Sequence, residues 1–63
     1  MNTSYDNTAD AMYIKLKDGI FGRNEEVYEG IVLDISKKGN LLGIEILNAS
    51  KKRGFILGLI LYR

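Results

Sequence analysis

Residues 30–48 read GIVLDISKKGNLLGIEILN, and this stretch decides the fold. Two apolar runs flank Lys37-Lys38-Gly39-Asn40, and Gly39-Asn40 supplies residues that tolerate positive φ. Strand, turn and strand in that order predict a β-hairpin. If Ser36 pairs with Leu41 across a four-residue loop, Ile31, Leu33 and Ile35 share a face with Leu42, Ile44 and Ile46. A three-residue loop would set the same three beside Leu41, Gly43 and Glu45. Register follows the face that must be buried, which favours the four-residue loop. The opposite face then carries Val32, Asp34, Leu41, Gly43, Glu45 and Leu47. That mixture is too apolar for a free solvent face and too charged for a sealed core. It predicts a cover, either the C-terminal tail or another subunit.

Outward from the hairpin, residues 11–17 (AMYIKLK) alternate cleanly, with Met12, Ile14 and Leu16 on one side and Tyr13, Lys15 and Lys17 on the other. That period marks a half-buried strand. A short strand at Thr3 to Tyr5 would pair with it across the turn that follows. Asp18-Gly19 breaks the pattern, Gly22-Arg23-Asn24 reads as further loop, and residues 25–29 (EEVYE) read as a short strand. On the C-terminal side, Asn48 is placed to cap a helix beginning at Ala49, with Ser50 to Arg53 in its exposed first turns. Beyond Gly54, Phe55, Ile56, Leu57, Leu59, Ile60, Leu61 and Tyr62 leave no polar side for either period. A segment apolar all round is buried, or it associates.

A chain of 63 residues has room for one domain, spanning residues 1–63. Such a chain buries only about 60% of the surface it exposes when unfolded. Domains this small usually add a disulfide, a metal or a partner subunit. The chain has no cysteine and no histidine, so by elimination a partner subunit is expected. Nine basic and eight acidic residues leave a net charge of +1, which neither requires nor excludes nucleic acid. MNTSYDNT carries no secretory features, and a cysteine-free chain suits the cytoplasm, the expected location. The apolar tail is far short of the roughly 20 residues a membrane-spanning helix needs, so no span is expected.

The run YD..ADAMYIKL followed by EEVYEGIVLDISKKGNLLGIEILNASK resembles a widespread family of short prokaryotic proteins, catalogued as domain of unknown function 2283. The resemblance covers roughly residues 4–53. It rests on Tyr5-Asp6, Ala9-Asp10-Ala11, Tyr13-Ile14, the hairpin with Gly39-Asn40, and Gly43-Ile44-Glu45-Ile46-Leu47. It implies a compact antiparallel sheet followed by a helical turn. It transfers no catalytic or binding residue. An antitoxin-type role with a cognate small protein comes with it, because some members sit beside small toxin-like genes. Residues 54–63 match no family feature.

Four constellations bear on function. Asp6 and Asp10 lack the glycine and glutamate of a calcium loop, and both read as turn residues, with Asp10 accepting from amides of its own loop. Asp34, opposite Gly43, and Glu45, its diagonal neighbour, form the best pair for acid–base work. A sheet this small does not supply a pocket of the usual 300 Å³ or more around them, and Lys15, Lys17 or Arg23 would pair with these acids; no catalysis, cofactor or metal is expected. Gly43 is read as relieving crowding opposite Asp34. Lys15, Lys17, Lys37, Lys38, Lys51, Lys52 and Arg53 would make a phosphate-binding surface if they gathered, with Tyr13 the one aromatic near.

The expected fold is α+β, mainly β: an antiparallel meander of four or five strands with a short C-terminal helix or apolar segment. The expected function is a non-enzymatic protein-interaction module, a homo-oligomer or the partner of a cognate small protein. Its contact residues would be Val32, Leu41 and Leu47 on the mixed face and Phe55, Leu57, Leu59 and Leu61 in the tail. A lysine-rich nucleic-acid-binding surface is the alternative.

Overall fold

A computed structural model of the chain describes residues 2–61. Met1, Tyr62 and Arg63, the ends of the expected 1–63 domain and of its apolar tail, lie outside the described residues. Five strands, β1 (Asn2–Asp6), β2 (Ala11–Lys15), β3 (Phe21–Tyr28), β4 (Ile31–Ser36) and β5 (Leu41–Leu47), form one sheet. Its spatial order is β1-β2-β5-β4-β3, and every neighbouring pair is antiparallel. The β1–β2 hairpin thus sits beside the β3–β4–β5 meander, joined through β2 and β5. A 3-10 turn (Ala49–Lys51) and a helix, α1 (Arg53–Leu61), follow. The fold is the expected antiparallel meander, mainly β, with a C-terminal helix.

The body of the β4–β5 hairpin has the expected register: Ile31 opposes Ile46, Leu33 opposes Ile44 and Asp34 opposes Gly43. At the tip the pairing slips, and Ile35 faces Leu41 instead of Leu42. The buried hydroxyl of Ser36 explains the slip, because its Oγ accepts from the backbone N–H of Lys38 at 3.2 Å and of Asn40 at 3.0 Å. The N–H of Ser36 in turn donates to the carbonyl of Asn40. With Gly39 at φ 89°, these bonds draw the tip tighter than a four-residue loop. Leu42 becomes the extra residue of a β-bulge. It is buried under the link of residues 16–20, where its carbonyl accepts from the N–H groups of Leu16 and Lys17.

β3 runs unbroken through Gly22-Arg23-Asn24, which the sequence marks as loop. Gly22 signals a close approach instead: a Cβ there would lie 2.7 Å from the carbonyl carbon of Ser36. Two irregularities in its pairing with β4 and exposure of all eight residues mark β3 as an edge strand. Glu29 and Gly30 close the turn into β4, with Gly30 at φ 75°. The carboxylate of Glu26 accepts from its N–H.

Ile14, Ile31, Ile46, Ala49 and Ile56 form the core, with Met12, Ile44 and Leu59 packed against it. Strand alternation turns the isoleucines to one face, and α1 covers that face through Ile56 and Leu59. The tail therefore does not cover the mixed face bearing Val32, Asp34, Gly43, Glu45 and Leu47, which stays open in the single chain. No helix among the described residues is long and apolar enough to cross a membrane.

Candidate functional site

The turn between β1 and β2 decides where α1 lies. Asp6 Oδ1 accepts from the N–H groups of Thr8 at 3.0 Å and Ala9 at 3.2 Å, an ordinary turn lock. Asp10 sits in the left-handed region at φ 52°, and its partners are not in its own loop. Its carboxylate accepts from the Tyr5 hydroxyl at 2.8 Å, the Ser50 N–H at 3.0 Å and the Ser50 hydroxyl at 2.7 Å. Its carbonyl accepts from the N–H of Ala49 at 2.9 Å. These bonds, with the Ser50 hydroxyl foremost and then Tyr5, hold the Asp10 carboxyl below the usual aspartate range.

Asp10 therefore does the capping that the sequence assigns to Asn48, which lies at φ 53° and makes no side-chain cap bond. From that anchor the 3-10 turn leads into α1. The Lys52 ammonium donates to the carbonyl of Leu47, and the Lys52 carbonyl accepts from the N–H of Ile56. The helix is laid over the isoleucine face by polar bonds at its root and apolar contact along its length.

Little of the helix is used up by this packing. Ile56 is buried and Leu59 packs against the core, while Phe55, Leu57 and Leu61 stay 47%, 56% and 73% exposed. Grooves run on both sides of this ridge. One, of about 460 Å³, is walled by Tyr5, Met12, Arg53, Ile56, Leu57 and Ile60. The other, of about 410 Å³, is walled by Tyr28, Ile31, Lys52 and Phe55. Contiguous exposed apolar surface of this kind marks an interaction site more often than scattered leucines do. The flanking tyrosines were missed in the sequence. Their signal was pairing arithmetic, since Tyr5 opposes Met12 and Tyr28 opposes Ile31, both core-facing residues.

The candidate contact residues are thus divided. Phe55, Leu57 and Leu61 form the exposed ridge, and Leu59 belongs to the chain's own core. Val32 and Leu47 lie on the opposite, open face. Leu41, expected beside them, is set opposite Ile35 by the bulge. At the centre of the open face the Tyr13 ring crosses Gly43, where a Cβ would lie 2.5 Å from Tyr13 Cζ. The Tyr13 hydroxyl donates to Asp34 Oδ2 at 3.0 Å. Burial, followed by this bond, raises the Tyr13 pKa. Gly43 therefore makes room for a neighbouring tyrosine more than for Asp34. Two of the three basic residues expected to pair with Asp34 and Glu45 are engaged elsewhere: Lys15 pairs with Asp18 at 2.6 Å and Arg23 with Glu25 at 3.4 Å.

The lysines do not gather into one surface. Lys17, Lys37 and Lys38 line a pocket of about 500 Å³ beside the hairpin tip, and Lys15 stands near them at the end of β2. Lys51, Lys52 and Arg53 follow β5 at its far end, next to Leu47 and the Asp10 turn. No three of the described histidine, cysteine, aspartate or glutamate side chains cluster closely enough to hold a metal ion.

No curated protein and no solved structure matches the chain significantly. Residues 2–50 match the family described as "Protein of unknown function (DUF2283)", so the match takes in the whole sheet and the start of the 3-10 turn and leaves α1 outside. On that match, which spans well over half of its length, the chain belongs to the DUF2283 family.

Proposed function

We propose that this chain is a non-enzymatic protein-interaction module that binds through its helix-bearing face, either to itself or to a cognate small protein. The exposure of Phe55, Leu57 and Leu61 on a helix with no polar side chain from Gly54 to Leu61 carries this reading. Burying such side chains is worth roughly 1.5–3 kcal/mol each. A core built on five buried residues would gain a substantial fraction of its stability from that contact, since small domains muster only about 3–5 kcal/mol. A toxin-type protein is the cognate partner that the family resemblance suggests.

A lysine-based nucleic-acid reading draws on the convergence of Lys17, Lys37 and Lys38 at the hairpin tip. It is weaker, because no aromatic side chain lines that pocket for base stacking. Sedimentation velocity across a salt series separates the two. An assembly that withstands salt, survives Lys37→Glu with Lys38→Glu, and is lost in Leu57→Glu is expected. Binding of nucleic acid that weakens steeply with salt and vanishes in the lysine variant would replace the interaction reading.

A further inference from the structure

We propose that the pocket beside the hairpin tip is a binding site for a small phosphate monoester, its dianionic head held by Lys17, Lys37 and Lys38 and its carbon body laid on Ile20 and Leu42. The site uses nothing of α1 and stands apart from the interaction reading above. Its walls are the link of residues 16–20 and the tip of residues 36–40, and backbone bonds fix the two together. The N–H of Lys37 donates to the carbonyl of Ile20 at 3.0 Å, and the N–H groups of Leu16 and Lys17 donate to the carbonyl of Leu42 at 2.8 and 3.1 Å. Within the tip, Ser36 Oγ holds the amides of Lys38 and Asn40. Walls held by main-chain bonds need no ordering by a ligand, which removes one cost of binding. The volume of about 500 Å³ lies within the roughly 300–1,000 Å³ of small-molecule sites.

Three lysines line this space, and among the described residues none of their ammonium groups has a hydrogen-bond or ion-pair partner. The one acid on the walls, Asp18, is already engaged by Lys15 at 2.6 Å. Four lysines thus stand against one aspartate, a local surplus of three in a chain of net charge +1. Like charges gathered without a counter-charge repel, and an anion in their midst relieves the repulsion. A phosphate monoester answers three lysines better than a carboxylate does, because it carries up to two charges and three free acceptor oxygens. The floor specifies the other half of the ligand. Gly19 lies directly on the buried Leu42, where a Cβ would stand 2.7 Å from Leu42 Cδ2, while Ile20 is left exposed. Aliphatic side chains beside unpaired ammonium groups suit a ligand that is charged at one end and apolar at the other. A nucleic-acid strand fits less well, since each diester carries one charge and no aromatic side chain lines the pocket to stack a base.

Amide chemical shifts of the full chain, followed at low salt during titration with n-hexyl phosphate, inorganic phosphate and hexanol, test the site. Hexyl phosphate is expected to move the amides of residues 17–20 and 36–42. It should bind about tenfold more tightly than inorganic phosphate, the gain from covering about two of its methylenes. Hexanol at the same concentrations should move none of those amides. Lys37→Gln with Lys38→Gln should weaken both phosphates about tenfold or more, and Lys51→Gln, beyond the far end of β5, should change neither. Ile20→Ser should erase the advantage of the ester and leave inorganic phosphate unaffected. All four side chains are exposed, and the tip bonds of the two lysines are made by their main chain, so the variants keep the fold. Shifts absent from both loops, or an affinity indifferent to Lys37 and Lys38, overturn the site. Shifts that follow hexanol as readily, or an oligodeoxynucleotide that binds the same amides more tightly than hexyl phosphate, overturn the monoester as its ligand.

Discussion

Gly43→Ala tests how the open face is built. A Cβ at that position would stand 2.5 Å from Tyr13 Cζ and 2.9 Å from the carbonyl oxygen of Ile14, and nearer still to the Tyr13 hydroxyl. The ring must swing away and give up its bond to Asp34. A hydrogen bond to a charged group is worth about 1.5–3 kcal/mol, and less where water reaches it, as it does at this half-buried tyrosine. Crowding against the Ile14 backbone adds about 1–3 kcal/mol. Replacing glycine by alanine within a strand returns about 0.5–1 kcal/mol. The net expectation is a loss of about 2–3 kcal/mol, which in urea moves the unfolding midpoint by roughly 1–3 M. In a Tyr13→Ala background the methyl loses its clash with the ring and keeps the one with the Ile14 carbonyl, so the same substitution should cost about 1–2 kcal/mol less. Urea titrations of the four proteins, followed by circular dichroism, measure the cycle. Additive effects, or a Gly43→Ala midpoint equal to that of the wild type, would refute the packing of Tyr13 over Gly43.

Ile46→Ala removes a side chain with no exposed surface at the centre of the core; the expected loss of about 2–5 kcal/mol approaches everything a domain of this size has, so far-ultraviolet circular dichroism should show a largely unfolded chain at room temperature. Ser36→Ala strips the tip amides of Lys38 and Asn40 of their acceptor and should cost about 1–3 kcal/mol. Hydrogen exchange should quicken at those two amides and stay slow along β2 and β5. The depressed Asp10 pKa gives a pH dependence. Its contribution is complete above the ordinary aspartate value of about 3.9 and is lost as the pH falls through the lower folded value. Thermal unfolding followed from neutral to acid pH should show that decline, and Asp10→Asn should flatten it.

The body of the central hairpin is legible in the sequence because period-two alternation leaves one register that buries its isoleucines. The tip is not, because the slip depends on a buried serine hydroxyl binding two amides, which no hydrophobic pattern records. β3 was half missed for a related reason. An edge strand with every residue exposed need not alternate, and its Gly22 looks like a breaker when it marks a close backbone approach. Asp10 reads as a turn residue bonded within its own loop, whereas its partner Ser50 lies 40 residues away, beyond any local turn rule. The tail shows where pattern reasoning stops. With apolar residues on all sides, its period fixed neither helix nor strand, nor which face of the sheet it would cover. The anchor at Asp10 and the packing of Ile56 decide both. The exposed apolar ridge is legible as composition, in Phe55, Leu57 and Leu61, and illegible as geometry, since Val32 and Leu47 stand on the other face of the sheet.

Binding through the helix-bearing face is tested most directly by native mass spectrometry of the protein purified gently at low salt, alongside its Leu57→Glu variant. The expected spectrum is a dimer, or a complex with a second small protein, for the wild type and a bare monomer for the variant. A wild type that flies as a bare monomer, or carries nucleic acid in place of protein, would contradict it.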